Sequence, residues 1–187
     1  MKVLGLSASP RVGGNTDTLV KAALEAAREA GADTEFIAVR DLKISPCLGH
    51  PDCSDRAQCH HQDDFPKASE AFVTADAVII GTPVYFWNMT AQMKTFMDRC
   101  YFHYRHGRSV AAKATGLIIV AGSSGLEETE QSMRNFLTRG RFYRAAPEAL
   151  EVLTTNARSP GEVGAQPEIL GKARNLGKTL VEKASRS

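Results

Sequence analysis

Ser7, Ser9 and Thr16 place three hydroxyls within the ten-residue stretch Ser7-Ala8-Ser9-Pro10-Arg11-Val12-Gly13-Gly14-Asn15-Thr16, with Arg11 between them. Hydroxyls, a guanidinium and the free N–H groups of a beginning helix suit an anion, and the helix end alone contributes about 0.3–2 kcal/mol to it. The residues match neither G-x-G-x-x-G nor G-x-x-x-x-G-K-[ST], so the expectation moves from a pyrophosphate or triphosphate to one terminal phosphate. The competing reading is a plain strand-to-helix turn that uses Gly13 and Gly14 to reverse direction.

A second stretch, Gly81-Thr82-Pro83-Val84-Tyr85-Phe86-Trp87-Asn88-Met89, carries three consecutive aromatics, including the only tryptophan. A loop with that much apolar area, at about 25 cal/mol per Å², calls for a flat apolar partner. A planar heterocycle would supply one, and so would a subunit interface. A third stretch, Ala121-Gly122-Ser123-Ser124-Gly125, has glycines that let backbone amides approach a ring edge. Together the three describe a mononucleotide-like ligand. They contain no G-x-S-x-G elbow, no H-E-x-x-H and no carboxylate pair, so no side chain is assigned a catalytic role. A ligand that brings its own chemistry, as a flavin does, fits that absence.

The elements that must position these stretches follow from periodicity. Short apolar runs at Val3–Leu6, Thr34–Val39, Ala77–Ile80, Leu117–Val120 and, more weakly, Leu150–Leu153 have the length of strands, and AVII and LIIV are apolar throughout, as in central parallel strands. Helical patterns at Thr18–Ala30, Pro66–Thr74, Thr90–Tyr104, Leu126–Leu137 and Pro167–Ala184 alternate with them, the first with Asn15 or Thr16 as N-cap and Gly31 as its stop. Met93, Met97, Cys100, Tyr101 and Tyr104 form one apolar stripe, with Phe96 at its edge. Five strands and five helices in alternation predict an α/β three-layer sandwich with a mostly parallel sheet, one domain over 1–187; for the order 2-1-3-4-5 its crevice lies beyond strands 1 and 3. Ligands of such sheets sit at the carboxyl ends of the strands, where all three stretches fall.

Composition agrees with an ordinary globular chain of 187 residues, 43% hydrophobic and 24% charged. A net charge of +2 gives no reason to expect nucleic acid, and no apolar run is long enough for a membrane span. The start MKVLGLSAS enters a strand directly, which gives the expectation of a cytoplasmic protein with reduced thiols.

The stretches LGLSASPRVGGNT and GTPVYFWNMTAQMKTFMDR, with the GSSG loop, resemble the flavodoxin-like NAD(P)H-dependent FMN reductases, in particular their iron–sulfur flavoprotein branch. The resemblance implies bound FMN, NAD(P)H as co-substrate and a homodimer or homotetramer. It also implies a small-molecule electron acceptor such as a quinone or free flavin; a flavoprotein carrier serving protein partners is the alternative. Ser9, Arg11, Asn15 and Thr16 match positions around the phosphate, and Pro83, Val84, Tyr85 and Trp87 positions around the ring. Phe86, Asn88, Gly122, Ser123 and Gly125 complete the expected cofactor contacts. Asp98 and Arg99 are read as structural rather than catalytic, with an ion pair within or between subunits as their role.

Where that branch carries C-x₂-C-x₂-C-x₅-C, this chain has Cys47, His50, Cys53 and Cys59, with His60 and His61 following. Three thiolates and one imidazole admit a [4Fe–4S] cluster or a tetrahedral zinc. The replaced thiolate favours an excursion over about 45–62 that holds neither. Arg99, His103, Arg105, His106, Arg108 and Lys113 read as a solvated basic helix end, with a nicotinamide-nucleotide phosphate contact as the alternative, and Cys100 reads as a buried thiol.

Overall fold

The computed structural model describes residues 1–139, 142–143 and 146–186. Five parallel strands, β1 (Lys2–Ser7), β2 (Asp33–Ala38), β3 (Ala77–Pro83), β4 (Ala114–Ala121) and β5 (Leu150–Asn156), form one sheet in the order β2-β1-β3-β4-β5. Register pairs Ser7 with Gly81, Ile80 with Leu117 and Ala121 with Asn156, so β1, β3, β4 and β5 end at one edge. The helices are α1 (Asn15–Glu29), α2 (Phe65–Thr74), α3 (Ala91–Arg99), α4 (Tyr101–Arg105), α5 (Leu126–Thr138) and α6 (Pro167–Arg186).

Strand alternation sorts the core into two faces. Leu4, Leu6, Val78, Ile80, Leu117 and Ile119 pack with α2, α3 and α5 residues such as Phe72, Phe96 and Met133. Val3, Ile79, Ile118 and Val120 face Leu19, Val20, Leu24, Leu176 and Leu180 of α1 and α6. Close approach explains the small residues in β1 and β3: a Cβ on Gly5 would lie 2.5 Å from Leu24, and one on Gly81 2.5 Å from Val20. The tight seating of α1 fixes where its first turn points.

Two local expectations change. The N-cap of α1 is Gly14, without a side-chain cap, rather than Asn15 or Thr16. The helix expected over Thr90–Tyr104 breaks at Cys100, whose N–H is shared between the Phe96 and Met97 carbonyls. Beyond that break the stripe leaves the core. Phe96 is fully buried, whereas Tyr101 and Tyr104 are 45% and 42% exposed. Burial pushes the Cys100 thiol far up, so it stays protonated as a core residue.

Candidate functional site

The crevice at the sheet edge is lined by Ser9, Arg11, Gly14, Asn15, Thr16, Pro83, Val84, Tyr85, Val120, Gly122, Ala157 and Arg158, around about 170 Å³. Eight of the thirteen sequence-predicted contacts therefore meet there. Phe86, Trp87, Asn88, Ser123 and Gly125 stand outside that lining.

The anion end is built from below. Asp17, the third residue of α1, is fully buried and accepts from the Ser7 hydroxyl at 2.6 Å, from the Gly13 N–H at 3.0 Å and from Arg40. The Ser9 hydroxyl accepts the Arg11 N–H at 3.2 Å, which curls the loop over the helix end. Among the described residues, no hydrogen bond takes the N–H groups of Asn15, Thr16 or Asp17, and the exposed Arg11 guanidinium has no protein partner. These are the donors an anion would use. The Asn15 side-chain amide is engaged elsewhere, donating to the Ser159 carbonyl at 2.9 Å and accepting from the Val163 N–H at 3.3 Å.

Tyr85 and Asn88 exchange backbone hydrogen bonds at 2.8 and 3.1 Å, closing a two-residue turn. Phe86 and Trp87 occupy that turn with φ of 49° and 58°, a region that costs non-glycine residues roughly 1–2 kcal/mol each. The strain presents the rings outward, leaving Phe86 94% and Trp87 58% exposed. Gly125, at φ 87°, lies behind them, where a Cβ would come within 2.9 Å of Trp87 Cα and 2.8 Å of Val84 Cγ1. The aromatic loop is tied to the anion loop through Thr90, whose hydroxyl donates to the Ala8 carbonyl at 2.9 Å and caps α3 by accepting the Met93 N–H. The Asn88 side chain accepts the Met89 N–H, and Ser123 is exposed.

With the crevice described, its relatives can be compared. The profile described as NADPH-dependent FMN reductase matches residues 1–152. The chain belongs to that family. An iron–sulfur flavoprotein of Methanocaldococcus jannaschii is 37% identical over 187 residues, covering 97% of this chain and 96% of the relative. One from Archaeoglobus fulgidus is 35% identical over 183 residues, covering 97% and 80%. Among solved structures, an NAD(P)H:quinone oxidoreductase from Methanothermobacter marburgensis superposes with a TM-score of 0.74 at 20% identity over 96% of each chain. RosB with bound 8-demethyl-8-formylriboflavin-5'-phosphate reaches 0.78 at 18% identity, covering 100% of this chain and 79% of that one. As a member of the FMN reductase family, the chain is an NAD(P)H-dependent flavin oxidoreductase with FMN as cofactor. Free helix N–H groups, an unpaired Arg11 and outward aromatic rings are a donor set that fits FMN.

Arg158 was missed by sequence reasoning. Its Nε donates to the Gly122 carbonyl at 2.9 Å, and Glu162 holds the turn by accepting the N–H groups of Arg158 and Ser159. The titratable side chains lining the crevice are thus Arg11, Arg158 and Tyr85. No local signal could have placed Arg158, because Asn15 brings its turn in from 144 positions away.

The Cys/His excursion lies outside the crevice lining. Cys47, His50, Cys53 and Cys59 line one void of about 20 Å³ together with His60, His61 and Arg99. The cysteines are free, and burial followed by the neighbouring Cys59 and Cys47 raises the Cys53 thiol. The void is close to one water molecule in size, the His50 ring stacks on His60, and Arg99 Nη2 lies 3.6 Å from Cys59 Sγ. As folded, the excursion does not accommodate an eight-atom iron–sulfur cube.

Arg99 is structural, as expected, and forms its ion pair within the chain. It does not pair with Asp98, which instead meets Lys94 at 2.6 Å on the surface. Arg99 is 1% exposed, pairs with both oxygens of Asp63 at 2.5 and 3.1 Å, donates to the Ser45 carbonyl at 2.8 Å and stacks over Phe65. The basic run is a solvated helix end in part: Arg105, Arg108 and Lys113 are exposed, whereas Arg99 and His103 are not. His103 is buried, His106 reaches the Arg56 carbonyl, Arg105 reaches Ser54, and Arg108 pairs with Glu70. Among the described residues, no helix is long and apolar enough to cross a membrane.

Proposed function

We propose that the crevice holds FMN with its phosphate at the start of α1 and its ring system between the Pro83–Trp87 and Gly122–Gly125 loops. From there, electrons taken from NAD(P)H pass to a small-molecule acceptor such as a quinone or free flavin. The observation that carries this reading is the meeting of an uncapped, arginine-flanked helix end with Tyr85 in one crevice, beside whose lining the exposed Phe86 and Trp87 follow in the chain.

Bound FMN would supply hydride acceptance and onward electron delivery. The protein's own residues bind, orient and exclude water. Arg11 and the N–H groups of Asn15 and Thr16 neutralise the phosphate, with Ser9 and the Thr16 hydroxyl beside them. Tyr85 and Trp87 offer ring faces, and Phe86 extends the apolar rim. Gly122 and Gly125 let backbone approach the ring edge. Arg158, held on the Gly122 carbonyl, adds positive charge that favours an electron-rich ring. The open aromatic rim suits a flat acceptor that stacks and leaves.

Fluorescence titration with FMN and riboflavin, followed by steady-state NAD(P)H oxidation with a benzoquinone, free FMN or a ferredoxin-type protein as acceptor, tests the reading. FMN should bind at least about 10-fold more tightly than riboflavin, a difference of about 1.4 kcal/mol, and Arg11→Ala should shrink that ratio. Turnover should be supported by the quinone or free flavin. Equal affinity for the two flavins would overturn the phosphate placement, and turnover with the protein acceptor alone would overturn the acceptor class.

A further inference from the structure

We infer that His50, Asp52 and His60 form a site for one divalent transition-metal ion, separate from the flavin crevice and independent of the reading given for it. Each side chain offers one ligand atom, and the three atoms lie within 4.8 Å of one another. His60 Nε2 is 2.9 Å from Asp52 Oδ1, and the His50 and His60 rings stack with centroids 3.8 Å apart at 27°. Ligands held about 2.0–2.2 Å from a tetrahedral ion are roughly 3.3 Å apart. The His60–Asp52 pair is already near that spacing, and the ligand atoms, all within 4.8 Å of one another, converge on one ion once the stacked rings turn their lone pairs toward it.

The positions are not those of a free loop. The Cys53 N–H bonds back to the His50 carbonyl at 3.3 Å, and the Asp55 N–H to the Asp52 carbonyl at 3.0 Å, so the first two ligands sit on a hydrogen-bonded turn. That turn is fastened to α4, where Arg105 donates to Ser54 Oγ at 3.0 Å and His106 Nε2 meets the Arg56 carbonyl at 2.8 Å. Arg99 ties down the far side at Ser45, Cys59 and Asp63. Such support holds the ligands near a productive geometry before the ion arrives.

The donor set decides the ion class. Two imidazoles and one carboxylate suit zinc, iron(II) or cobalt(II), whereas calcium and magnesium prefer all-oxygen shells. Three protein ligands leave a further position open for water or an exogenous ligand, unlike a closed four-ligand structural site. This set uses none of the three thiols, which separates it from the cluster reading of the same segment.

The test is calorimetric titration of the FMN-loaded full-length protein with Zn²⁺ alone, after chelation. One ion per chain should bind. His50→Gln and His60→Gln should each weaken binding by at least the 10- to 100-fold typical of losing even an outer-shell partner. The triple variant Cys47→Ser/Cys53→Ser/Cys59→Ser should stay within about threefold, and Co²⁺ should give visible bands without sulfur-to-metal charge transfer. Retained flavin colour reports folding; if a histidine variant loses it, Asp52→Asn, on a half-exposed residue, decides by the same criterion. The proposal fails if wild type binds no Zn²⁺, if the histidine variants bind normally, or if the serine variant loses the ion. It fails equally if anaerobic iron and sulfide load a four-iron cluster.

Discussion

Asp17 and Arg40 form a two-pronged pair beneath the anion loop, with Arg40 Nη2 2.9 Å from Oδ2 and Nη1 3.1 Å from Oδ1. The carboxylate is wholly buried, and Arg40 Nη1 also reaches the Ser9 carbonyl at 3.1 Å. The floor of the loop is thus held by one charge pair joining α1 to the turn after β2.

Replacing Asp17 by Asn keeps the shape and leaves Arg40 with only the exposed Asp41 carboxylate, 3.6 Å from its Nε. Breaking a buried pair costs about 3–5 kcal/mol, and the partial exposure of Arg40 places the expectation at the low end. Urea denaturation should show the loss, and fluorescence titration should show weaker FMN binding, because the amide keeps one acceptor oxygen and turns an NH2 group toward either Gly13 or Ser7.

Phe86→Gly separates strain from contact. Phe86 is almost fully exposed at φ 49°, so glycine removes backbone strain without emptying the core. The flavin-free protein should gain about 1 kcal/mol by chemical denaturation while FMN affinity falls. If both quantities fall, the turn is not strained in the free protein.

Asp63 supplies an acid-sensitive anchor. Burial alone would raise its pKa, but the Arg99 hydrogen bond, the Ser45 and Phe65 N–H groups and the Arg99 charge outweigh it and hold the carboxyl below its ordinary value. The depressed folded value makes its contribution complete above about pH 4–5 and lost progressively as pH falls below the ordinary aspartate value of about 3.9. Denaturation midpoints from pH 6 to 3 should therefore drop more steeply for wild type than for Asp63→Asn.

His103 has a different pH window. Its ring is buried, neither nitrogen has a partner among the described residues, and the ring lies nearly parallel to Phe142 at 6.2 Å. Burial first, then Arg108, lowers its pKa. The unfolded chain takes up a proton near pH 6.5 that the folded chain refuses, so stability is full above that pH and declines below it, by at most about 1.4 kcal/mol per pH unit. His103→Leu should flatten the stability profile between pH 7.5 and 5.5.

Strands, helices and their order were legible in the sequence because burial on one or both faces leaves a period in the chain. AVII and LIIV became the β3 and β4 core, and the expected boundaries moved by a few residues. The three strand-end stretches were legible because hydroxyls, glycines and exposed aromatics are out of place in ordinary turns. The partner of each polar side chain was not legible, since pairing is decided by which elements the packed sheet brings together. Asn15 read as a cap or phosphate contact, yet its amide went to a turn 144 residues away. Arg99 read as structural and ion-paired, but its partner had to come from the fold: packing of α3 under the excursion delivers it to Asp63, 36 residues back. Periodicity reports which side of an element is buried; only the folded chain decides which polar group, 23 or 144 positions distant, lies within 3 Å of it.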